Sequence, residues 1–392
     1  MKLTVNFNSK LQTPNFKLMK KKNIISIVII AILVVIAGVL IGNNRYLSSL
    51  RDEASDFTVY DTASITKLFF ADKSGNEVLL NRNGNTWIVN NEFVANQELV
   101  NEMLYTLNRM RIKMPVSVKK SDNIVTQMAA TNTKVEVYQM VPRINLFNKI
   151  KLFYHEVRSK VFYVGGVTQD NSGTYILKEG GDKVYVVHLH GFRGFISSRF
   201  SANPLDWRSH IIFNEKMGDI ASVKVEINDD PHNSFIINEI DRYQYAMTRL
   251  NGEPVDFSDN KVLTLMSSFG DVRFEAFLND VDPAKRDSII NSPFMKRITL
   301  TRKDGKVKSV TTYRMLNNSD IYNYTQDEIE QFEDMLQSPD HKYALLSEGN
   351  EFVLIQDFTF GKLLNPADYY SKDYKDNIPQ IYYQELETVE SH

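Results

Sequence analysis

From Ile24 to Gly42 the chain is an unbroken apolar run in which Ser26 is the sole polar side chain and no charge occurs. As a helix rising 1.5 Å per residue this run reaches roughly 28 Å, close to the hydrocarbon thickness of a bilayer. Beyond it the pattern becomes one of alternation. Ile65, Leu68 and Phe70, then Val78 and Leu80, then Trp87 and Val89 are separated by turn signals at Ser74-Gly75-Asn76 and Asn83-Gly84-Asn85. This spacing predicts short antiparallel strands joined as hairpins. A helical period follows, with Leu99, Val100, Met103, Leu104, Leu107 and Met110 on one face behind a cap at Asn96. Val135 and Val137 then resume a strand.

The same succession occurs a second time. Val223, Val225 and Ile227 precede a turn at Asn228–Pro231, and Phe235 with Ile237 precede a turn near Asp241 and then Tyr243 with Tyr245. A helix with Val262, Leu263, Met266 and Phe269 behind Ser258 comes next, and Ile298 with Leu300 return to strand. Ala63-Ser64-Ile65 is echoed by Ala221-Ser222-Val223 at an offset of 158, and Tyr175-Ile176-Leu177 by Tyr343-Ala344-Leu345 at an offset of 168. Part of the gain is a further helix expected over 325–337, with a Thr325/Glu328 capping box and a stripe of Ile329, Phe332, Met335 and Leu336. Ile144 to Tyr163 has no counterpart and is expected to be an added hairpin. The predicted fold is α+β: an N-terminal single transmembrane helix followed by two tandem, duplicated domains, each an antiparallel sheet with helix on one face. The expected divisions are a basic tail at 1–23, the span at 24–42, a linker at 43–56, a first repeat domain at 57–213 and a second at 214–392 that ends in a tyrosine-rich tail.

Charge orients this arrangement. Six lysines and no acid lie in residues 1–23, so a formal net charge of −2 hides −8 on the chain beyond the apolar run. The positive-inside rule keeps the lysines in the cytoplasm and places the bulk of the chain in the periplasm of a double-membraned bacterium. The run exceeds the roughly 7–15 residues of a signal-peptide core and Val39–Asn44 offers no small-x-small cleavage site, which favours a signal anchor over a cleaved leader. The absence of cysteine excludes disulfides, thiol nucleophiles and cysteine zinc sites. A hydrophobic content of 43% with 24% charged residues excludes a mainly disordered chain.

The strand openings, Trp87 and its helix, Tyr163-Val164-Gly165-Gly166 through Tyr185-Val186-Val187, and the second opening through Phe274-Glu275-Ala276 together resemble a bacterial family. It is one of uncharacterised membrane-anchored proteins with a tandem-repeat outer domain, often encoded beside gliding-motility-type ABC transporter genes. The resemblance covers most of 57–280 and, more loosely, the remainder. It implies association with an exporter and carries no catalytic residues over to this chain.

Candidate chemistry is sparse. His188 and His190 alternate on one strand and could chelate a metal with His155 or His210, although the repeat sets Gln356 and Phe358 opposite them. Asp229, Asp230 and His232, and Asp280, Asp282 and Asp287, are acidic groups that Asp-Pro turns explain more simply than calcium. Lys149–Arg158, Arg193 and Arg199 could meet head groups, or form the solvated face of a strand pair. Tyr369, Tyr370, Tyr374, Tyr382 and Tyr383 could dock a partner or pack on their own domain. Trp87 and Trp207 are expected as packing anchors. No nucleotide-binding, serine-hydrolase or zinc-protease signature occurs. The expected function is therefore non-enzymatic: a membrane-held docking or scaffolding module of an envelope complex, an ABC transporter auxiliary, with no cofactor and no nucleic-acid partner. The alternative is a periplasmic ligand-binding or hydrolytic protein acting on a polysaccharide or peptide at an interdomain cleft.

Overall fold

A computed structural model describes residues 25–38, 57–146, 150–316 and 336–374. Residues 25–38 form helix α1, and every residue of it is exposed. Ile24 and residues 39–42 of the expected span, the basic tail and the linker lie outside the described residues. No helix among the described residues is long and apolar enough to cross a membrane. The rest divides into two compact units, with the division between Ser209 and His210. The boundary expected at 213/214 moves because β10 (Ile211–Phe213) pairs with Val272–Arg273 of the second unit.

In the first unit β1 (Ile65–Ala71), β2 (Glu77–Asn83), β3 (Thr86–Val89) and β4 (Phe93–Val94) form a meander. The first turn is closed by Asp72, whose carboxylate accepts from the Ser74 and Asn76 amides, with Gly75 at φ 89°. Helix α2 (Gln97–Arg109) starts at Asn96, whose side-chain oxygen accepts from Glu98 N and Leu99 N. It buries Val100, Met103, Thr106 and Leu107 against the sheet, while Leu99, expected on that face, is exposed. Then come β5 (Met110–Pro115), α3 (Val118–Ala130), β6 (Thr133–Leu146), β7 (Ile150–Val167), β8 (Thr174–Lys178) and β9 (Val184–Leu189). The sheet order is β4-β3-β2-β1-β6-β7-β8-β9-β5, so β5 crosses to the far edge and pairs antiparallel with β9. Short α4 (Pro204–Trp207) returns over the α2 face, where Trp207 stacks on Phe70 at 5.2 Å and 11°.

The second unit repeats this plan. Strands β11 (Ile220–Ile227), β12 (Phe235–Asp241) and β13 (Gln244–Arg249) precede α5 (Asp259–Ser268), β14 (Val272–Arg273) and β15 (Ala276–Phe277). Helix α6 (Pro283–Asn291) and β16 (Lys296–Arg302), β17 (Val307–Tyr313), β18 (His341–Leu346) and β19 (Phe352–Gln356) follow, and α7 (Ala367–Tyr370) closes the unit. Its eight-stranded order, β13-β12-β11-β16-β17-β18-β19-β15, matches the nine-stranded first sheet except that β4 has no counterpart. In α5 the buried side chains are Val262, Leu265 and Met266, with Leu265 in the place expected for Leu263. The expected helix 325–337 falls, but for its last two residues, outside the described ones.

Each sheet carries helix on both faces, a correction to the one-faced plan expected from sequence. Along β8 and β9, Ile176, Val187 and Leu189 join the core under α2, whereas Tyr175, Leu177 and Val184 pack with Ile124 and Met128 of α3. The second unit does the same: Ala344, Val353 and Ile355 lie under α5, and Tyr343, Leu345 and Phe352 gather with Ile289 and Ile290 of α6. Gly165 permits the closeness of α3, since a Cβ there would lie 2.6 Å from Met128 Cγ. The Ile144–Tyr163 stretch lengthens one hairpin: β6 and β7 run 14 and 18 residues, where β16 and β17 have 7 each.

Substituting Gly165→Ala is expected to destabilise the first unit by about 1–3 kcal/mol through overpacking. In a Met128→Ala background the same change should cost clearly less, and a double-mutant cycle by chemical denaturation measures the difference.

Candidate functional site

A polar concavity of the first unit lies on the α3 face of its sheet, in a cleft of about 380 Å³. Three segments build it: the end of β5 with Lys113, the start of α3 with Ser117 and Lys120, and the turn between β7 and β8 with Thr168, Asp170 and Ser172. Ile124, Tyr175 and Val186 supply apolar lining. The turn is rigidly wired. Thr168 and Ser172 each donate a hydroxyl to the Asp170 carboxylate at 2.6 Å, and Lys113 Nζ donates to Ser172 Oγ at 2.8 Å. These hydroxyls hold the Asp170 carboxyl well below the usual carboxylate range. Gly173 seats the turn against β9, because a Cβ there would meet Val186 Cγ1 at 2.6 Å and Val187 O at 3.0 Å.

Chemically the cleft offers two ammonium groups and hydroxyls above an apolar floor. That set suits an anionic group on an apolar body. Ser172 is held on both sides, donating to the Asp170 carboxylate and receiving from the Lys113 ammonium. Sequence reading passed over Lys113, Ser117, Thr168, Asp170 and Ser172, and the polar Thr168-Gln169-Asp170-Asn171-Ser172 turn was the signal available.

His188 belongs to this face, opposite Arg111 across the β5–β9 ladder. Burial pushes its imidazole below the ordinary 6.5, and the charges of Lys113 and His190 add to the shift. His190 is exposed just beyond β9. His155 sits with Nδ1 3.1 Å from Val141 O, and His210 stacks on Phe274 at 4.6 Å between ring centres. Among the described residues no three His, Cys, Asp or Glu side chains gather in a way that could hold a metal.

The other sequence candidates resolve into structural parts. Asp282, expected as a turn, caps α6: its carboxylate accepts from Ala284 N at 2.8 Å and Lys285 N at 3.3 Å, and Pro283 occupies the first helical turn. Asp230 accepts from Asn233 Nδ2 at 2.7 Å within a short helical turn. Arg158 pairs with Glu136 at 3.1 Å, and Arg199 with Glu102 at 3.0 Å. Tyr370, a candidate contact residue, is instead core: it is fully buried against Phe235 at 5.3 Å, and burial raises its hydroxyl pKa far above the ordinary tyrosine value. Tyr369 and Tyr374 flank Lys261, whose Nζ lies 4.4 Å from each ring centre and donates to Tyr369 O at 2.8 Å. Tyr382 and Tyr383 lie outside the described residues. Trp87 and Trp207 are buried, and the Gln97 side chain bonds both Trp87 N and Trp87 O.

Residues 87–288 match the model of one protein family, described as Domain of unknown function (DUF4340). The match runs from Trp87 into α6 and takes in every segment of the cleft. No curated protein and no solved structure matches the chain.

A histidine held below 6.5 in the folded state is protonated first in the unfolded chain. Its contribution to stability is therefore complete above that pH and declines as pH falls through it. Proton NMR titration of the imidazoles should find His188 below the ordinary value, and Lys113→Gln should move it upward by removing one of the repelling charges.

Proposed function

The chain belongs to the DUF4340 family, and on that premise we propose that it is a non-enzymatic, single-pass inner-membrane protein whose duplicated periplasmic part docks or scaffolds an envelope complex. The observation that carries this reading is an exposed apolar helix ahead of two units of one strand order. An apolar helix with no face turned to a core is stable where lipid surrounds it. The lysines at positions 2, 10, 17, 20, 21 and 22 support a cytoplasmic N-terminus, with residues 24–42 as the signal anchor.

Docking is favoured over catalysis by the state of the polar groups. In the cleft Lys113, Ser172, Thr168 and Asp170 are bonded to one another. In the second unit an open hollow of about 660 Å³ is lined by Lys216, Glu239, Arg242 and Lys303, and Lys303 is paired with Glu239. Such surfaces recognise charge and position it. The resemblance to proteins encoded beside ABC transporter genes makes an exporter of that type the first partner to test.

Alkaline carbonate is expected to leave the chain in the membrane pellet, and protease added to spheroplasts is expected to degrade the bulk beyond the anchor. Cross-linking in intact cells should then recover envelope proteins, with a transporter subunit among them. Solubility in carbonate, protection of the carboxyl-terminal bulk, or recovery of this chain alone would each overturn the reading.

A further inference from the structure

Beyond Gln139 and Val157 the β6–β7 ladder continues as a two-stranded arm through the pairs Pro142↔Tyr154 and Ile144↔Leu152. At about 3.4 Å per residue the arm extends roughly 25 Å. Cross-strand partners share a face, so Pro142, Ile144, Leu152 and Tyr154 make one side of it apolar. On that side Pro142 is buried and Ile144 half-buried, while the β7 residues are bare: Ile150 is 53% exposed, Leu152 45% and Tyr154 56%. The alternate positions carry Arg143 and Lys151, both exposed, with Phe153 at 69%, and the sequence from Met140 to His155 contains no acid.

The base of the arm is braced. The buried carboxylate of Glu136 takes Lys134 at 2.6 Å, Arg158 at 3.1 Å and the Tyr138 hydroxyl at 2.5 Å. Gln139 Nε2 donates to Asp61 O at 3.0 Å and Ser64 Oγ at 2.8 Å, which ties the base to the segment leading into β1. Ile65 pairs with Gln139 and Ala71 with Lys134, so the arm leaves the sheet at the end where the chain comes in, opposite the β1–β2 turn. Residues 39–56, between α1 and this unit, reach at most about 60 Å when extended.

A lone two-stranded ribbon with an exposed apolar side is marginal in water, and a contiguous apolar patch rimmed by charge of one sign marks an interaction surface. We propose that the arm dips edge-on into the headgroup region of a bilayer containing anionic lipid, with Ile150, Leu152 and Tyr154 entering from one face, Phe153 from the other, and Arg143 and Lys151 meeting the phosphates. The first unit then rests against the membrane that holds α1, an inference that relies on the membrane reading above. Aliphatic and aromatic side chains together with cations and no acid form the set that binds such an interface.

Because cysteine is absent, single probes can be placed in the full-length chain. An environment-sensitive fluorophore is attached at Leu152→Cys in the arm or at Lys73→Cys in the β1–β2 turn, and the chain is reconstituted in vesicles carrying a headgroup-proximal spin-label quencher. In phosphatidylglycerol-containing vesicles the label at 152 should lose about half its emission or more while the label at 73 is unchanged, as expected for shallow interfacial insertion. Adding R143E and K151E should abolish that quenching with the chain still sedimenting with the vesicles, and thermal unfolding of each variant checks that the fold is kept. Equal quenching at 152 and 73, undiminished quenching in pure phosphatidylcholine, or shielding of the label at 152 from aqueous iodide in detergent without vesicles would overturn the proposal, the last pointing to a second copy or a protein partner. Carbonate release of the chain would count against the anchor, and quenching at 152, which reports the arm alone, would still decide this inference.

Discussion

The pairing of β5 with β9, and of β15 with β19, is the contact on which each unit depends. After the opening meander the chain must reach the far edge of a sheet whose middle strands have not yet been made. Helix α2 carries it there across one face, and α3 carries it back across the other so that β6 can lie beside β1. Two connections crossing the same face would collide, which is why the helices part to opposite sides. The double cover follows from the strand order. It also makes the strands beside the far edge apolar on both sides where α3 and α6 lie, as Tyr175, Leu177 and Val184 of β8 and β9 show in the first unit.

This constraint also decides what could be read from sequence. The meanders were legible because one face of each strand is wet and alternation survives, as at Leu68, Phe70, Val78 and Leu80. Helix α2 was legible because it buries a continuous stripe behind the Asn96 cap. Helix α3 was not, since among its described side chains Ile124 and Met128 alone join the core while Val125 is exposed, too weak a period to stand out. Helix α6 was hidden by Asp282-Pro283, a pair that reads as a turn and serves here as cap and first helical residue. The cleft escaped because its polar groups come from three segments brought together only by the crossing of β5. His188 was noticed for its neighbour His190, whereas the structure sets it among Lys113 and Arg111.

Electrostatics separates the two units more than topology does. In the first, buried Glu136 gathers Lys134, Arg158 and Tyr138 and raises the tyrosine hydroxyl to about 12. In the second, buried Glu215 pairs with Arg302 and Lys308, and its amide bonds Phe269 O beneath α5. A buried carboxylate is tolerable only with such partners, and losing one cation would leave charge stranded. The two acids stand at different places in the same plan: Glu136 steadies the long hairpin, Glu215 the seam between helix and sheet.

Tandem bodies built to one pattern carry a hazard during synthesis, because the late slot beside β9 or β19 could in principle accept the wrong copy's edge ribbon. The two ribbons are unlike enough to discourage the exchange. β5 is six residues long with a register shift between Ile112 and Met114, and it brings Arg111 opposite His188. β15 is two residues, held by flanking amides of Glu275 and Leu278 to Leu354 O and Phe352 O. Divergence at these edges therefore makes each closing ribbon a fit for its own slot, six residues long in one unit and two in the other.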